Sequence, residues 1–343
     1  MADAVVSELR GMGLEADEDA TGAETGSDAG NLLARIAGPP GAPTILLCAH
    51  LDTVPLAAPV EVELAEGILR NRQEAVLGAD NKAAVAVFLE AARRMVLEPP
   101  PVEVELLFTT CEERALRGAK AFDQSRLRAG SGFVFDHATP IGELIVAAPT
   151  YYRLEARFRG QAAHAGIRPE DGRNAIAAAA GGISRLRLGR LDDTTTANVG
   201  RIEGGAAANV VAESCEVELE ARSLDHDRAG AVVTEMVDAM TLSASDAECD
   251  VETIVEEQFR AYRLARTAPP VEAAARALRA VGVEPSYLAT GGGSDASVFV
   301  ERGLPCVNVA NGTERNHEPD ESVSVAAIET MLDVSLAIAY GDD

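Results

Sequence analysis

The sequence has no tryptophan, and eight phenylalanines and five tyrosines leave only 4% of its 343 residues aromatic. Apolar residues still make up 47%, enough to bury a large core, and the length divides most naturally into two domains. Positive charge is scarce. There are 30 basic residues, with Lys82 and Lys120 the lysines, against 55 acidic ones, a net charge of −25. A chain so acidic repels phosphate backbones and anionic head groups, which argues against nucleic-acid and membrane-surface roles. The five cysteines (Cys48, Cys111, Cys215, Cys249, Cys306) are scattered, with no C-x-x-C pair, so neither a disulfide framework nor a thiolate zinc site is indicated. No stretch reaches the roughly 18 apolar residues of a membrane span, and MADAVVSELRG lacks the basic start and apolar run of a signal peptide. The expectation is a cytoplasmic protein.

From 44 to 150, apolar runs bounded by turn residues alternate with segments of helical period, the pattern of a mostly parallel sheet covered by helices. TILLCAH (44–50) is a buried strand, and Val85, Phe88, Leu89, Ala92 and Val96 mark an amphipathic helix over 82–97, stopped by the prolines at 99–101. VEVELLF alternates apolar and acidic residues as a strand running into TTCEE, and FVFD (133–136) is another strand. From about Tyr151 the rhythm becomes strand, helix, strand, strand, helix, strand, the order of a split β-α-β-β-α-β module. Helix 271–281, a strand or loop around GGGSDA, strand 306–310 and a closing helix over 325–340 follow. The fold class is therefore α/β, with a mostly parallel sheet flanked by helices. Residues 1–150 and 260–343 form the larger domain, and residues 151–259 an inserted α+β domain.

Ligands of open α/β sheets bind beyond the carboxyl ends of the strands, and five such places carry polar residues here. The first strand delivers His50 and Asp52 in HLDTVP, and the loop before the first helix carries Asp80 in GADNKAA. VEVELLFTT ends in Cys111, Glu112 and Glu113, FVF ends in Asp136, and CVNVANG leads to His317 in RNHEPDES. Imidazoles and carboxylates converging from several strand ends suit zinc or a similar divalent ion. Each has an ordinary structural reading when taken alone: Asp80 beside Asn81 caps a helix, adjacent glutamates end a solvated loop, and a histidine before a polar loop is merely hydrogen bonded. The combination is harder to explain that way, because three of the five histidines lie in Gly- or carboxylate-rich loop motifs. His137 and His226 lack that context and are assigned structural roles.

As an ordered set, HLDTVP, LGADNKAA, TTCEERALRGAKAFD, FVFDHATP, RGQAAHAG, GGAAANVV with EARS, GGGSDAS and NHEPDE resembles the two-zinc exopeptidases that include peptidase T, glutamate carboxypeptidase and acetylornithine deacetylase. The similarity spans about residues 31 to 341, and HAG-x-x-PE-x-G-x-NAI, LGRLDDTTTANVGRIEGG and GGGSDAS are most similar to the peptidase T-like aminotripeptidase branch. The resemblance implies a zinc-exopeptidase-type catalytic domain with an inserted lid and dimerisation domain. It makes Asp80 the carboxylate bridging two Zn²⁺ ions, with Co²⁺ or Mn²⁺ as substitutes, His50 and Asp136 completing one ion and Glu113 and His317 the other. A metal-bridging hydroxide would then be the nucleophile. Glu112 would be its general base, and Asp52 would accept the second imidazole N–H of His50. His164 would stabilise the developing oxyanion, while Asn209 and Arg222 would hold polar ends of the substrate. Arg222 also fits the polar face of a strand, since it alternates with Cys215, Val217, Leu219 and Ala221. Gly292 and Gly293 would let backbone approach the peptide; a phosphate loop is the weaker alternative, as no G-K-[ST] follows.

This sequence departs from its relatives in two respects. They generally begin with a helix and a Ser-Pro-Ser-Gly-Glu-like loop ahead of the segment that MADAVVSELRGMGLEADED resembles, and at Cys111 they more often carry Asp or Gly, which makes its thiol a candidate stray ligand. The leading expectation is a zinc aminopeptidase that acts on short peptides and forms a homodimer. An N-acyl-amino-acid amidohydrolase or carboxypeptidase of the same family is the alternative. An inactive metal-binding scaffold is a third reading, disfavoured by the intact Glu112 and five candidate ligands.

Overall fold

The structure is a computed structural model describing residues 1–341; residues 342 and 343, the end of the expected second catalytic segment, lie outside the described residues. The chain divides into two compact units, one of Met1–Ala147 with the chain from Tyr262 onward, the other of Ala148–Ala261.

In the first unit a mixed sheet of nine strands runs in the order Ala16–Glu18, Leu32–Ile36, Glu103–Thr109, Thr44–His50, Ser131–His137, Cys306–Ala310, Glu143–Ala148 and Tyr262–Arg263, with Ser286–Ala289 beside Glu143–Ala148. The four central strands, Glu103–Thr109 to Cys306–Ala310, are mutually parallel, so their carboxyl ends line one edge. Burial explains their sequences: Thr44–His50 is buried from Ile45 to its end, as a strand covered on both faces must be. Glu103–Thr109 differs from the half-exposed strand its alternating acids suggest. Glu105 is fully buried, and its carboxylate accepts Arg35 Nε at 2.8 Å and the amides of Arg128 and Ala129 at 2.9 and 3.0 Å. Helix Ala79–Leu97 lays Val85, Phe88, Ala92 and Met95 into the core, where the Phe88 ring meets Phe135 edge-on at 5.2 Å. Helix Val325–Tyr340, capped by Ser324, packs against it.

Of the two readings of GGGSDA, strand or loop, the structure has the loop, and it adds a sheet that the sequence did not suggest. GGGSDA is a loop that ends in helix Asp295–Glu301, because Ser294 and Ser297 form a reciprocal capping box. A small antiparallel sheet of Thr313–Glu314, Ser322–Ser324, Ile68–Asn71 and Val62–Ala65, absent from the sequence reading, brackets the loop that carries His317.

The second unit is an antiparallel sheet ordered Gly189–Asp192, Thr195–Gly204, Ser214–Ser223, Thr150–Arg159 and Asp250–Phe259, with helices Ala175–Ser184 and His226–Asp246. Leu154, Phe158, Val217, Leu219, Met236 and Met240 form its core. The short strand Gly189–Asp192 adds an edge to the β-α-β-β-α-β order. Asn174 and Asp225 cap the two helices through Ala177 N and through Asp227 N and Arg228 N.

Candidate active site

Three of the parallel strands end in polar residues that meet. His50, the last residue of its strand, is 1% exposed, and its Nε2 lies 3.1 Å from Asp80 Oδ1 and 3.4 Å from Asp136 Oδ1. On the other side of Asp80, His317 Nε2 lies 3.4 Å from Oδ2 and 2.8 Å from Glu113 Oε1. The donor atoms of His50, Asp80 and Asp136 fall within 4.8 Å of one another, as do those of Asp80, Glu113 and His317. Asp80 is common to both groups and turns one oxygen to each. Glu112, 9% exposed, forms a further such group with His50 and Glu113.

Backbone anchors fix this arrangement. The Asp52 carboxylate accepts the amides of Glu112 and Glu113 at 3.0 and 3.2 Å, and so holds the turn that carries both glutamates. Nδ1 of His50 is 3.2 Å from the Asp52 carbonyl and 3.5 Å from its carboxylate, so the carbonyl is the nearer partner where the sequence suggested the carboxylate. Lys82 Nζ donates to that same carbonyl at 2.9 Å. Asn308 clamps Asp136 by accepting its N–H at 3.1 Å and donating to its C=O at 3.0 Å. Asn316 Nδ2 donates to Asp80 Oδ2 at 2.8 Å, and buried Glu321 accepts the amides of Gly78 and Asp80.

The electrostatics are those of a carboxylate cluster short of positive charge. Burial pushes Asp136 up to about 7, partly countered by His50, and burial with the Asp136 charge lifts Glu112 well above the usual range. Hydrogen bonds to Asp80 and Glu113 raise His317 to about 10. Burial would lower His50, but Asp136 and the other carboxylates outweigh it and hold the imidazole up. Burial would raise Asp80, but the two histidines outweigh it and hold its carboxyl low. Two sets of N and O donors sharing one carboxylate suit divalent ions.

His164 and Asn209 lie in the second unit on exposed loops joined by Ala165 N to Asn209 O at 3.0 Å and Val211 N to Ala163 O at 2.9 Å. Gly166 N donates to His164 Nδ1 at 3.2 Å, so a neutral imidazole there carries its proton on Nε2. Arg222 is placed apart from that loop pair, on strand Ser214–Ser223, its guanidinium 4.2 Å above the Tyr151 ring and 3.0 Å from Glu220 Oε2. Gly292 and Gly293 lie in the loop before helix Asp295–Glu301, where Gly292 N donates to Thr290 Oγ1 at 3.1 Å. The Cys111 thiol faces the Thr25 carbonyl at 4.0 Å and belongs to none of the donor groups. His226 Nδ1 lies 3.2 Å from Thr150 Oγ1. Sequence reasoning did not single out Asn308, Glu321 or Asp295, although GGGSDAS and NHEPDES contain the last two. Asp295 is fully buried and accepts Thr109 Oγ1 at 2.5 Å, while among the described residues its Oδ1 has no hydrogen bond.

An α/β sheet whose strand ends converge on a buried His/Asp/Glu cluster, with a glutamate beside it, defines a hydrolase of the metallopeptidase class. The sequence profile of peptidase family M20/M25/M40 matches residues 46–340, and the chain belongs to that family. It is 37% identical to the uncharacterized protein YqjE of Bacillus subtilis, over 95% of this chain and 88% of that one. Its fold is similar to that of the aminopeptidase PepT from Bacillus cereus (TM-score 0.88, 35% identity, 99% of this chain and 91% of that chain). It is likewise similar to a tripeptidase from Staphylococcus aureus (TM-score 0.92, 30% identity, 98% and 91%). Among the described residues no helix is long and apolar enough to cross a membrane.

Proposed function

We propose that the protein is a two-zinc aminopeptidase that releases the N-terminal residue of short peptides, in the manner of a tripeptidase. The observation that carries this reading is Asp80, shared by two triads of donors with Glu112 at their side; the likeness to PepT and to the tripeptidase along nearly the whole chain supports the substrate class. His50, Asp80 and Asp136 hold one ion, and Asp80, Glu113 and His317 the other. When bound, such ions polarise the scissile carbonyl and acidify a water, and Co²⁺ or Mn²⁺ would serve in place of Zn²⁺. Glu112 takes the proton of the attacking water at its carboxylate and delivers it to the departing amine. Asp52 positions Glu112 and Glu113 through their amides. His164, through Nε2–H, Asn209, Arg222 and the Gly292–Gly293 backbone are assigned to binding the substrate. The same reading includes a cytoplasmic homodimer. The five-stranded sheet of the second unit ends in strand Asp250–Phe259, which could pair with a second copy; a sedimentation mass of one chain at micromolar concentration would contradict dimerisation.

The test is hydrolysis of an unblocked tripeptide and of its N-acetylated counterpart by the zinc-loaded protein, with products identified by mass spectrometry. Cleavage of the free-amine peptide alone is expected. Turnover of the acetylated peptide alone would overturn the aminopeptidase reading and make the protein a deacylase.

A further inference from the structure

We propose that Glu321 is a positioning residue that sets the Asp80 carboxylate for metal binding by clamping the backbone on which Asp80 sits. The proposal rests on the metal-binding reading of the cluster. Glu321 is 2% exposed, and its two carboxylate oxygens are divided between two amides of one loop: Gly78 N donates to Oε2 at 2.7 Å and Asp80 N to Oε1 at 2.8 Å. The loop is shaped to present both. Gly78 has φ +73°, the left-handed region that glycine enters freely, and Asp80 is extended at φ −79°, ψ 105°, so the two N–H groups reach one carboxylate.

The other end of the clamp is equally fixed. Glu321 lies four residues after His317, in a turn closed by Glu318 N to Arg315 O at 3.1 Å and Glu321 N to Glu318 O at 3.0 Å. The next residues, Ser322–Ser324, pair antiparallel with Ile68–Asn71. Glu321 therefore ties the loop carrying Asp80 to the loop carrying His317, two donors of one triad separated by more than two hundred residues of chain. Among the described residues neither carboxylate oxygen bonds to a side chain and Glu321 is a donor in none of the groups, so it acts on the site through Asp80. Outer partners that orient a ligand commonly govern metal affinity by about 10- to 100-fold.

The decisive substitution is Glu321→Gln, which keeps the shape but offers one acceptor oxygen to two N–H donors. Metal affinity is read by competition with a chromophoric chelator for Zn²⁺, alongside the thermal midpoint of the metal-free protein and the separate kcat and KM for a tripeptide. The wild type should take up two equivalents. Glu321→Gln should bind at least about tenfold more weakly, with the metal-free midpoint close to wild type and a loss in kcat rather than KM. Unchanged affinity and kcat would overturn the proposal while leaving the two-metal reading intact. A wild type that takes up no metal overturns both. If Glu321→Gln fails to fold, Glu321→Asp, charged but one methylene too short to span both amides, is measured in the same way. Weaker binding by a folded Glu321→Asp supports the clamp; wild-type affinity, or failure of this variant to fold as well, overturns it.

Discussion

Glu112→Gln separates a general base from a metal ligand at this site. The substitution keeps the side-chain volume and leaves the backbone bond from Glu112 N to the Asp52 carboxylate untouched, so the turn that also carries Glu113 should hold. What it removes is the proton acceptor. General-base catalysis contributes about 10²- to 10⁴-fold, or about 2.7 to 5.4 kcal/mol at about 1.36 kcal/mol per tenfold. The kcat for an unblocked tripeptide should fall by that factor, while metal content, measured by mass spectrometry on the dialysed protein, stays at the wild-type value because five other donors are present. Turnover within a few-fold of wild type would refute the assignment. Loss of bound metal in parallel with activity would refute it too, since Glu112 also lies in a donor group with His50 and Glu113 and would then be a ligand.

Phe88→Ala should destabilise the catalytic unit by about 3–5 kcal/mol, read as a lower denaturant midpoint, because its fully buried ring packs between Phe108 and Phe135; a loss under about 1 kcal/mol would show that the core closes over the cavity. Cys111→Ala should leave metal stoichiometry unchanged, as the thiol faces the Thr25 carbonyl; losing an equivalent of metal would make the sulfur a ligand after all. Burial raises the Asp295 carboxyl from 3.8 to about 6. The folded state then holds this proton more tightly than the unfolded chain, so the metal-free protein should lose stability as pH rises from about 4 to about 6. Asp295→Asn should flatten that part of the melting-temperature profile, and a slope that persists unaltered would show that other groups produce it.

The donors of the candidate site were legible because a parallel strand buried on both faces has to become polar where it leaves the sheet. His50 after TILLCA and Asp136 after FVF stand at that change; the strand ends brought them forward, and the family resemblance assigned them as ligands. The anchors were not legible. Asn308 to Asp136 and Glu321 to Gly78 are bonds between residues 172 and 243 positions apart, and a buried polar residue inside CVNVA or NHEPDES looks the same whether it clamps a ligand's backbone or faces water. Glu105 is hidden for a related reason: an alternating acid ordinarily marks a wet face, but Arg35 and two amides let this carboxylate be buried. The hairpin Val62–Ala65 and Ile68–Asn71 left a signal that went unused, the two-residue Glu66–Gly67 turn with φ +52° and +76°. Its strands are largely exposed, so hydrophobic patterning could not reveal them.

The crossing points of the inserted unit bear on how the protein is made. Thr150, in the unit's first strand, sits beside the last: Tyr151 is in register with Phe259, and Ala261 N donates to Thr150 Oγ1 at 2.9 Å. Once residues 148–261 have folded, the chain leaves and re-enters at nearly one point. The catalytic sheet still has to join Glu143–Ala148 to Tyr262–Arg263, with Leu264 N on the Val146 carbonyl at 2.7 Å, across a gap of more than a hundred residues. A prefolded insertion turns that search into the closing of a short bridge, sparing most of the loop entropy. Because the insertion leaves the ribosome before the C-terminal strands, it can close that gap in advance. Substitutions that loosen it should therefore slow assembly of the catalytic sheet, even where they touch none of its residues.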